Sequence, residues 1–217
     1  MHEIRHKPSR GVFVTGTDTE VGKTYVSCAK LRQWRSQGVR VCAYKPVASG
    51  AESFANSDAY HLWRACGCDE PVERINPQSF LAPLAPPIAA ELQNQKVDER
   101  LLLSGVEDWF DRCDFLLVEG AGGLMSPITW ELTNADLAVA IGYPVWLVAP
   151  NRLGVVHQIL ATVTVAVALG LDVQTIVLND MRPGDTELAA QSNARLLAPF
   201  LERISPRTRV ESFAYGR

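Results

Sequence analysis

Several things are scarce in this sequence, and each scarcity narrows what the chain can do. No run of lysine or arginine stands out, and a formal net charge of −3 argues against a nucleic-acid partner held by bulk electrostatics. No uninterrupted apolar stretch is long enough to span a bilayer, because the longest candidate, 159–171, carries Thr162, Thr164 and Gly170. The opening MHEIRHKPSR is short and polar, without the apolar centre of a secretory signal. A soluble, cytoplasmic protein that meets neither membrane nor nucleic acid is expected. Cysteine is also sparse: the five residues at 28, 42, 66, 68 and 113 are odd in number and irregular in spacing, a poor disulfide framework. Cys66-Gly67-Cys68 could be half of a metal site, but no second pair or nearby histidine completes it, so reduced and mostly buried thiols are expected. There is no internal repeat and no low-complexity tract.

What is present is a chain of 217 residues with 47% hydrophobic and 21% charged residues, enough for one domain with a substantial core. Residues 1–10 are expected to form a tail and 11–217 a single domain. Near-continuous apolar runs recur at 11–16, 39–47, 114–120, 144–150 and 173–179, which suits strands buried on both faces of a parallel sheet. Helical patterns lie between them, at 23–37, 58–66, 98–112, 134–142, 155–169 and 186–200. Gly38 is placed to stop the first of these, and Asp98 to cap the third. The segment 68–97 differs, since Pro71, Pro77, Pro83, Pro86 and Pro87 break regular structure; an irregular excursion over the sheet edge is expected. Strands alternating with helices imply an α/β fold, a doubly wound, mostly parallel sheet flanked by helices, with ligands at the carboxyl ends of the strands.

The first strand runs through a loop into a helix as GVFVTG-TDTEV-GKT, the setting a Walker A phosphate loop requires. Backbone N–H groups there can wrap phosphate oxygens, and the helix N-terminus adds its positive dipole end. Lys23 would reach the terminal phosphates as a point charge, and the Thr24 hydroxyl would coordinate Mg²⁺. The spacing is one residue longer than usual when counted from Gly16. Two carboxylates, Asp18 and Glu20, stand in the same loop, although phosphate would repel them. They favour an enzyme with a metal or a cationic second substrate over a simple nucleotide switch.

Other strand ends add chemistry. Lys45, followed by the PVASG turn with Ser49, would project into the same crevice and stabilise charge developing on a phosphoryl group. Glu119 closes an apolar run on a glycine turn and suits a Walker B type metal ligand. Asp58 is either the N-cap of the next helix or a third metal ligand, and spacing leaves both open. Asn179, at the end of the last apolar run, can offer a donor and an acceptor to a nucleobase. His61 and His157 have no partners readable from spacing and are taken as structural.

Together VTGTDTEVGKT (14–24), YKPVASG (44–50), NSDA (56–59), INPQSF (75–80) with its proline-rich continuation, VEGAGG (118–123), LVAPNRLG (147–154) and LND (178–180) resemble the dethiobiotin synthetases, in the same order and over most of the chain. The resemblance implies a P-loop NTPase-like fold and a ligase of biotin biosynthesis. Such an enzyme uses ATP, Mg²⁺ and CO₂ to close a cyclic urea on 7,8-diaminononanoate, through a carbamate and its phosphoric anhydride. It implies that Lys45 is the active-site lysine and that Thr24, Asp58 and Glu119 hold Mg²⁺. It places the nucleotide against Glu20, Val21, Gly22, Lys23, Thr24, Tyr25 and Asp58, then Glu119, Gly120, Ala121 and Gly122. Asn179 would read the adenine with Asp180 beside it, and Thr19 and Ser49 would contact substrate. A homodimer is implied, in which residues 151–156 complete the neighbour's site. The C-terminal end departs from the family pattern, since its nearest match to an Ile-Pro strand end is Phe213-Ala214-Tyr215, without proline.

Two competing readings are weaker. Amidating relatives carry an extra glutaminase domain, for which this length leaves no room. A ParA- or MinD-like ATPase switch places a second lysine early in the phosphate loop, where this chain has TDTEV at 17–21, and often ends in a basic amphipathic helix.

Overall fold

The structure, a computed structural model, describes residues 10–51, 53–182 and 188–216. Most of the expected tail and residues 186 and 187 of the expected last helix lie outside the described residues. The chain runs through β1 (Gly11–Gly16), α1 (Lys23–Ser36), β2 (Val41–Tyr44), β3 (Ala48–Ser49), α2 (Asp58–Cys66), α3 (Val72–Ile75), β4 (Ser79–Phe80) and α4 (Pro86–Glu91). It continues through α5 (Glu99–Glu107), β5 (Phe115–Gly123), α6 (Asn134–Ile141), β6 (Val145–Pro150), α7 (Val155–Ala168), β7 (Val173–Asn179), α8 (Leu188–Ile204) and β8 (Arg209–Phe213).

Six strands form one sheet in the order β2-β5-β1-β6-β7-β8, and every pairing is parallel. The apolar runs account for this. In β1 and β6 almost every residue is buried, as a strand covered by helices on both faces must be. Val12, Phe13 and Val14 are at most 1% exposed, and each such side chain contributes ~1.5–3 kcal/mol relative to an exposed one. β1 lies between β5 and β6, where the order of winding reverses, and a crevice opens at that point beyond the carboxyl ends of the strands.

The helix signals act as expected at several ends. Gly38 takes the left-handed backbone (φ 82°) just beyond α1, and Asp98 accepts hydrogen bonds from the N–H groups of Arg100 and Leu101. Trp34 of α1 packs against Phe115 and Trp146, with ring centroids 4.4 and 5.6 Å away, fixing the helix over β5 and β6.

One expectation needs correction, one strand was missed, and one open alternative is settled. The proline-rich segment is not irregular throughout, because it holds α3, β4 and α4, and β4 pairs in parallel with β3 in a small second sheet. Pro86 opens α4 at its first position, where a missing N–H costs nothing. The last strand, β8, was not foreseen, because RVESF has no continuous apolar run; it is an edge strand with only Phe213 buried. Finally, Ser57 rather than Asp58 caps α2, its hydroxyl accepting from the Tyr60 N–H at 3.1 Å. Asp58 is left free for another partner.

Candidate functional site

The loop from β1 to α1 shapes the floor of the site. Glu20 (φ 55°) and Gly22 (φ 85°) both take left-handed backbone, which turns successive peptide groups inward. At Gly22 glycine is required: a Cβ would stand 2.2 Å from Asn179 Nδ2. Lys23, the first residue of α1, folds back so that its ammonium donates to the Asp18 carbonyl at 3.1 Å. The Asp18 carboxylate is turned onto its own loop, accepting from the Thr19 N–H at 2.7 Å, whereas Glu20 and Thr19 line the open side. The two loop acids therefore differ in use: Asp18 shapes the turn, and Glu20 faces the cavity.

Around Glu119 four elements meet. Glu119 sits in β5, paired in register with Val14 of β1, and is fully buried. Its Oε1 accepts from Thr24 Oγ1 at 2.6 Å and from Lys45 Nζ at 2.8 Å. Its Oε2 accepts from Ser27 Oγ at 2.7 Å. Lys45, one residue beyond β2 and 3% exposed, also pairs with Asp58 Oδ2 at 2.7 Å. A buried carboxylate is costly unless charge and hydrogen bonds compensate it, and here both of its oxygens are occupied.

These contacts set the protonation states. Burial works against the Lys45 charge, but Glu119 and then Asp58 outweigh it and hold the ammonium above the ordinary lysine range. Lys45 draws the Asp58 carboxyl below its usual value. Lys23 has no such direct carboxylate contact. Burial and then the neighbouring Lys45 lower it from 10.5 to about 8.

The cavity these residues border encloses about 630 Å³. Glu20, Gly22, Lys23, Thr24 and Tyr25 line one side, Lys45, Ser49 and Asp58 another, and Ala121, Gly122 and Ser126 a third. Pro83, Leu84, Ala85 and Pro86 form the remaining wall, tied down where Ser49 Oγ donates to the Leu84 carbonyl at 2.7 Å. The proline-rich excursion thus covers the crevice. Two lysine side chains, a phosphate loop at a helix N-terminus and paired carboxylates together suit a polyphosphate and a metal ion.

Residues 10–211 match the family described as an AAA domain. An ATP-dependent dethiobiotin synthetase of Rhodopirellula baltica is 42% identical over 197 residues, covering 84% of this chain and 77% of that protein. Another from Caulobacter vibrioides is 42% identical over 175 residues, covering 79% of this chain and 80% of its own. The chain belongs to the dethiobiotin synthetase family. Solved structures agree on the nucleotide-binding fold alone. Hydrogenase maturation factor HypB from Archaeoglobus fulgidus aligns with a TM-score of 0.55 at 15% identity, covering 95% of this chain and 82% of that one. A ParA protein bound to nonspecific DNA aligns at 0.56 and 10% identity, covering 91% and 76%.

Not every residue to which the dethiobiotin synthetase resemblance assigned a role lines this cavity. Glu119, expected as a metal ligand, is fully buried behind Thr24 and Lys45 and does not border it. Val21 is buried and gives its carbonyl to Asn179 Nδ2 at 3.0 Å. Gly120 lies beneath the wall, where a Cβ would stand 2.7 Å from Asn134 Oδ1. Asn179 is buried behind the phosphate loop, and its Oδ1 has no hydrogen-bond partner among the described residues. Asp180 accepts from Asn151 Nδ2 at 2.9 Å, and Asn193 in turn holds Asn151. Asn151 is thus held against Asp180, and none of residues 151–156 lines the cavity of its own chain. Tyr25 stacks on Tyr215, meets Phe213 edge-on, and accepts from the Gly216 N–H at 2.8 Å, so the unusual C-terminal end docks beside the phosphate loop. His61 and His157 are exposed and outside the cavity.

Two contributors escaped sequence reasoning. Ser27 lies one turn beyond Thr24, and that spacing was the available clue. Asn134 clamps the glycine turn, accepting from the Ala121 N–H at 3.1 Å and donating to the Gly123 carbonyl at 2.9 Å. It opens a helix behind Thr133, whose capping box with Asp136 fixes the position, but nothing local links it to the turn.

Proposed function

We propose that residues 11–217 form a single catalytic domain that carries out ATP-dependent ring closure of 7,8-diaminononanoate with CO₂, yielding dethiobiotin, ADP and phosphate in the cytoplasm. The observation that carries this reading is the convergence on one cavity of Lys23 and Thr24 from the phosphate loop, Lys45 from the neighbouring strand end and Asp58 from α2, with the buried Glu119 carboxylate behind them bonded to Thr24 and Lys45.

The residues fit Mg²⁺. Asp58 and Glu119 are hard oxygen donors already gathered about a cation, the Lys45 ammonium, at 2.7 and 2.8 Å, and Thr24 Oγ1 adjoins them through Glu119. When bound, Mg²⁺ would neutralise charge on the terminal phosphates. Lys23 and the N–H groups of 20–25 would hold those phosphates in line. Lys45 would stabilise negative charge on the substrate carbamate and on the phosphoryl oxygens as the anhydride forms. The second amine then attacks the carbamoyl carbon and releases phosphate. Glu20 and Asp58 give a cationic diamine a place to enter, and Thr19 and Ser49 would contact it. Glu20 thus supplies a reason for an acid in a phosphate loop. The unpaired Asn179 Oδ1 suits an amino group of a nucleobase, with Asp180 held alongside.

We further infer a homodimer in which 151–156 completes the neighbouring site. Its support is that Gly154 opens α7 with no side-chain cap while Leu153 is 76% exposed. The N-terminal end of α7, with its dipole, would bind the substrate carboxylate.

The test is product mass spectrometry with the diamine, ATP and labelled bicarbonate. Label in a cyclic urea, with phosphate release that requires both diamine and bicarbonate, is the expected result. Steady hydrolysis without the diamine would instead favour a ParA- or MinD-like switch.

A further inference from the structure

All five cysteines are free, and four of them gather at one place away from the nucleotide cavity. Cys66 ends α2, Cys68 follows two residues later, Cys42 lies in β2, and Cys113 stands just before β5. The sulfurs of Cys66 and Cys68 are 3.2 Å apart. Gly67 between them takes a left-handed cap conformation (φ 59°), which folds Cys68 back onto the helix end. The neighbouring Cys113 and Cys68 thiols, and then burial, push the Cys42 thiol up. Three of the four are buried, and Cys68 alone is partly exposed.

The close sulfur contact joins a pair, Cys66 and Cys68, rather than a ring around a common centre. Among the described residues no group of three or more histidines, cysteines or carboxylates is arranged to hold a metal ion. Inert packing would not need the sulfur-to-sulfur contact to reach the surface. Reactive thiols, by contrast, combine thiolate character, access and an adjacent resolving sulfur. Hydrogen bonds from Cys42 and then Cys66 hold the Cys68 thiol below the ordinary range, while burial and then Glu119 push Cys28 up to about 12.

We propose that Cys68 and Cys66 form a reversible, peroxide-sensitive dithiol, a modification site distinct from the catalytic cavity. The Cys68 thiolate attacks one oxygen of a hydroperoxide, the O–O bond breaks, and the other oxygen leaves as water or alcohol after taking a proton. The resulting Cys68 sulfenic acid is attacked by the Cys66 sulfur, forming the S–S bond and releasing water. The two thiols lose two electrons, and the peroxide gains them. An external dithiol reverses the change. The pair stands at one end of α2; Asp58, at the other end, holds Lys45.

The test treats the full chain with hydrogen peroxide, blocks remaining thiols with N-ethylmaleimide, and maps tryptic peptides by mass. The expected product is peptide 65–74, which contains both cysteines, lighter by two hydrogens and unalkylated until dithiothreitol is added. Cys68→Ser should slow peroxide consumption to the rate of Cys28. Cys66→Ser should leave Cys68 as a sulfenic acid captured by dimedone, a readout that keeps the idea testable if the first variant folds poorly. A bond mapped to another pair, equal oxidation of all five thiols, direct passage to sulfonic acid, or zinc retained by the thiols in native mass spectrometry would each overturn it.

Discussion

Lys45 Nζ lies 2.8 Å from Glu119 Oε1, joining the residue just beyond β2 to the middle of β5 inside a region closed to solvent. This ion pair would tie catalysis to folding: the cation proposed to stabilise phosphoryl transfer also neutralises a carboxylate that is fully buried.

Lys45→Met should therefore damage both properties. Turnover should fall by at least ~10²-fold, the size seen when one preorganised charge-stabilising group is removed. Stability should fall by about 3–5 kcal/mol, because Glu119 would be left as an unpaired buried charge. Thermal melting alongside phosphate-release assays separates the two. A variant that melts like the parent would mean that Glu119 does not depend on Lys45.

Ser27→Ala removes the donor to Glu119 Oε2, a bond of 2.7 Å at a buried site. Leaving a buried acceptor unsatisfied costs about 1–3 kcal/mol. Chemical denaturation should show that loss, with a smaller fall in turnover than for Lys45→Met, since Ser27 does not line the cavity. A loss of turnover as large as that of the lysine variant would give Ser27 a role beyond orienting Glu119.

Lys23 leads to a pH prediction. With its value lowered from 10.5 to about 8, the folded chain has released a proton between those values that the unfolded chain keeps. Its contribution to stability therefore rises with pH across that window and is at its lowest below it. Polyphosphate favours the charged form, so nucleotide binding should take up a proton at about pH 8.5 and not at about pH 6.5, on either side of the shifted value. Calorimetric titration in buffers of different ionisation enthalpy measures this uptake, and Lys23→Met should abolish it. Buffer-independent heats at both pH values would show that Lys23 is already charged.

Gly22→Ala places a Cβ in left-handed backbone 2.2 Å from Asn179 Nδ2. Left-handed strain alone costs roughly 1–2 kcal/mol, and the loop must also move to clear Asn179. Nucleotide affinity should drop on the order of tenfold or more, the equivalent of ~1.4 kcal/mol. Fluorescence titration with a labelled nucleotide would report it. Unchanged affinity would mean that the loop does not hold phosphate through this turn.

Local pattern was sufficient for the α/β architecture and for the phosphate loop. Continuous apolar runs require strands covered on both faces, and GKT at a strand–helix junction requires inward N–H groups whatever the rest of the chain does. Lys45, Glu119 and Asn179 were visible for the same reason, as polar residues ending runs that must be buried. The polar edge strand β8 and the short elements of the proline-rich segment were not, because each is fixed by a neighbour and not by its own periodicity.

Tertiary structure alone decided who meets whom. Glu119 takes its partners from 74, 92 and 95 residues away, at Lys45, Ser27 and Thr24. The choice of Ser57 over Asp58 as cap released Asp58 to Lys45, and the folding-back of residues 83–86 walled the cavity. The gathering of Cys42 and Cys113 around Cys66 and Cys68 is of the same kind. Burial patterns record only whether a side chain faces the core. Which distant charge, hydroxyl or thiol it meets there depends on strand order and register, which the packing of the whole sheet settles.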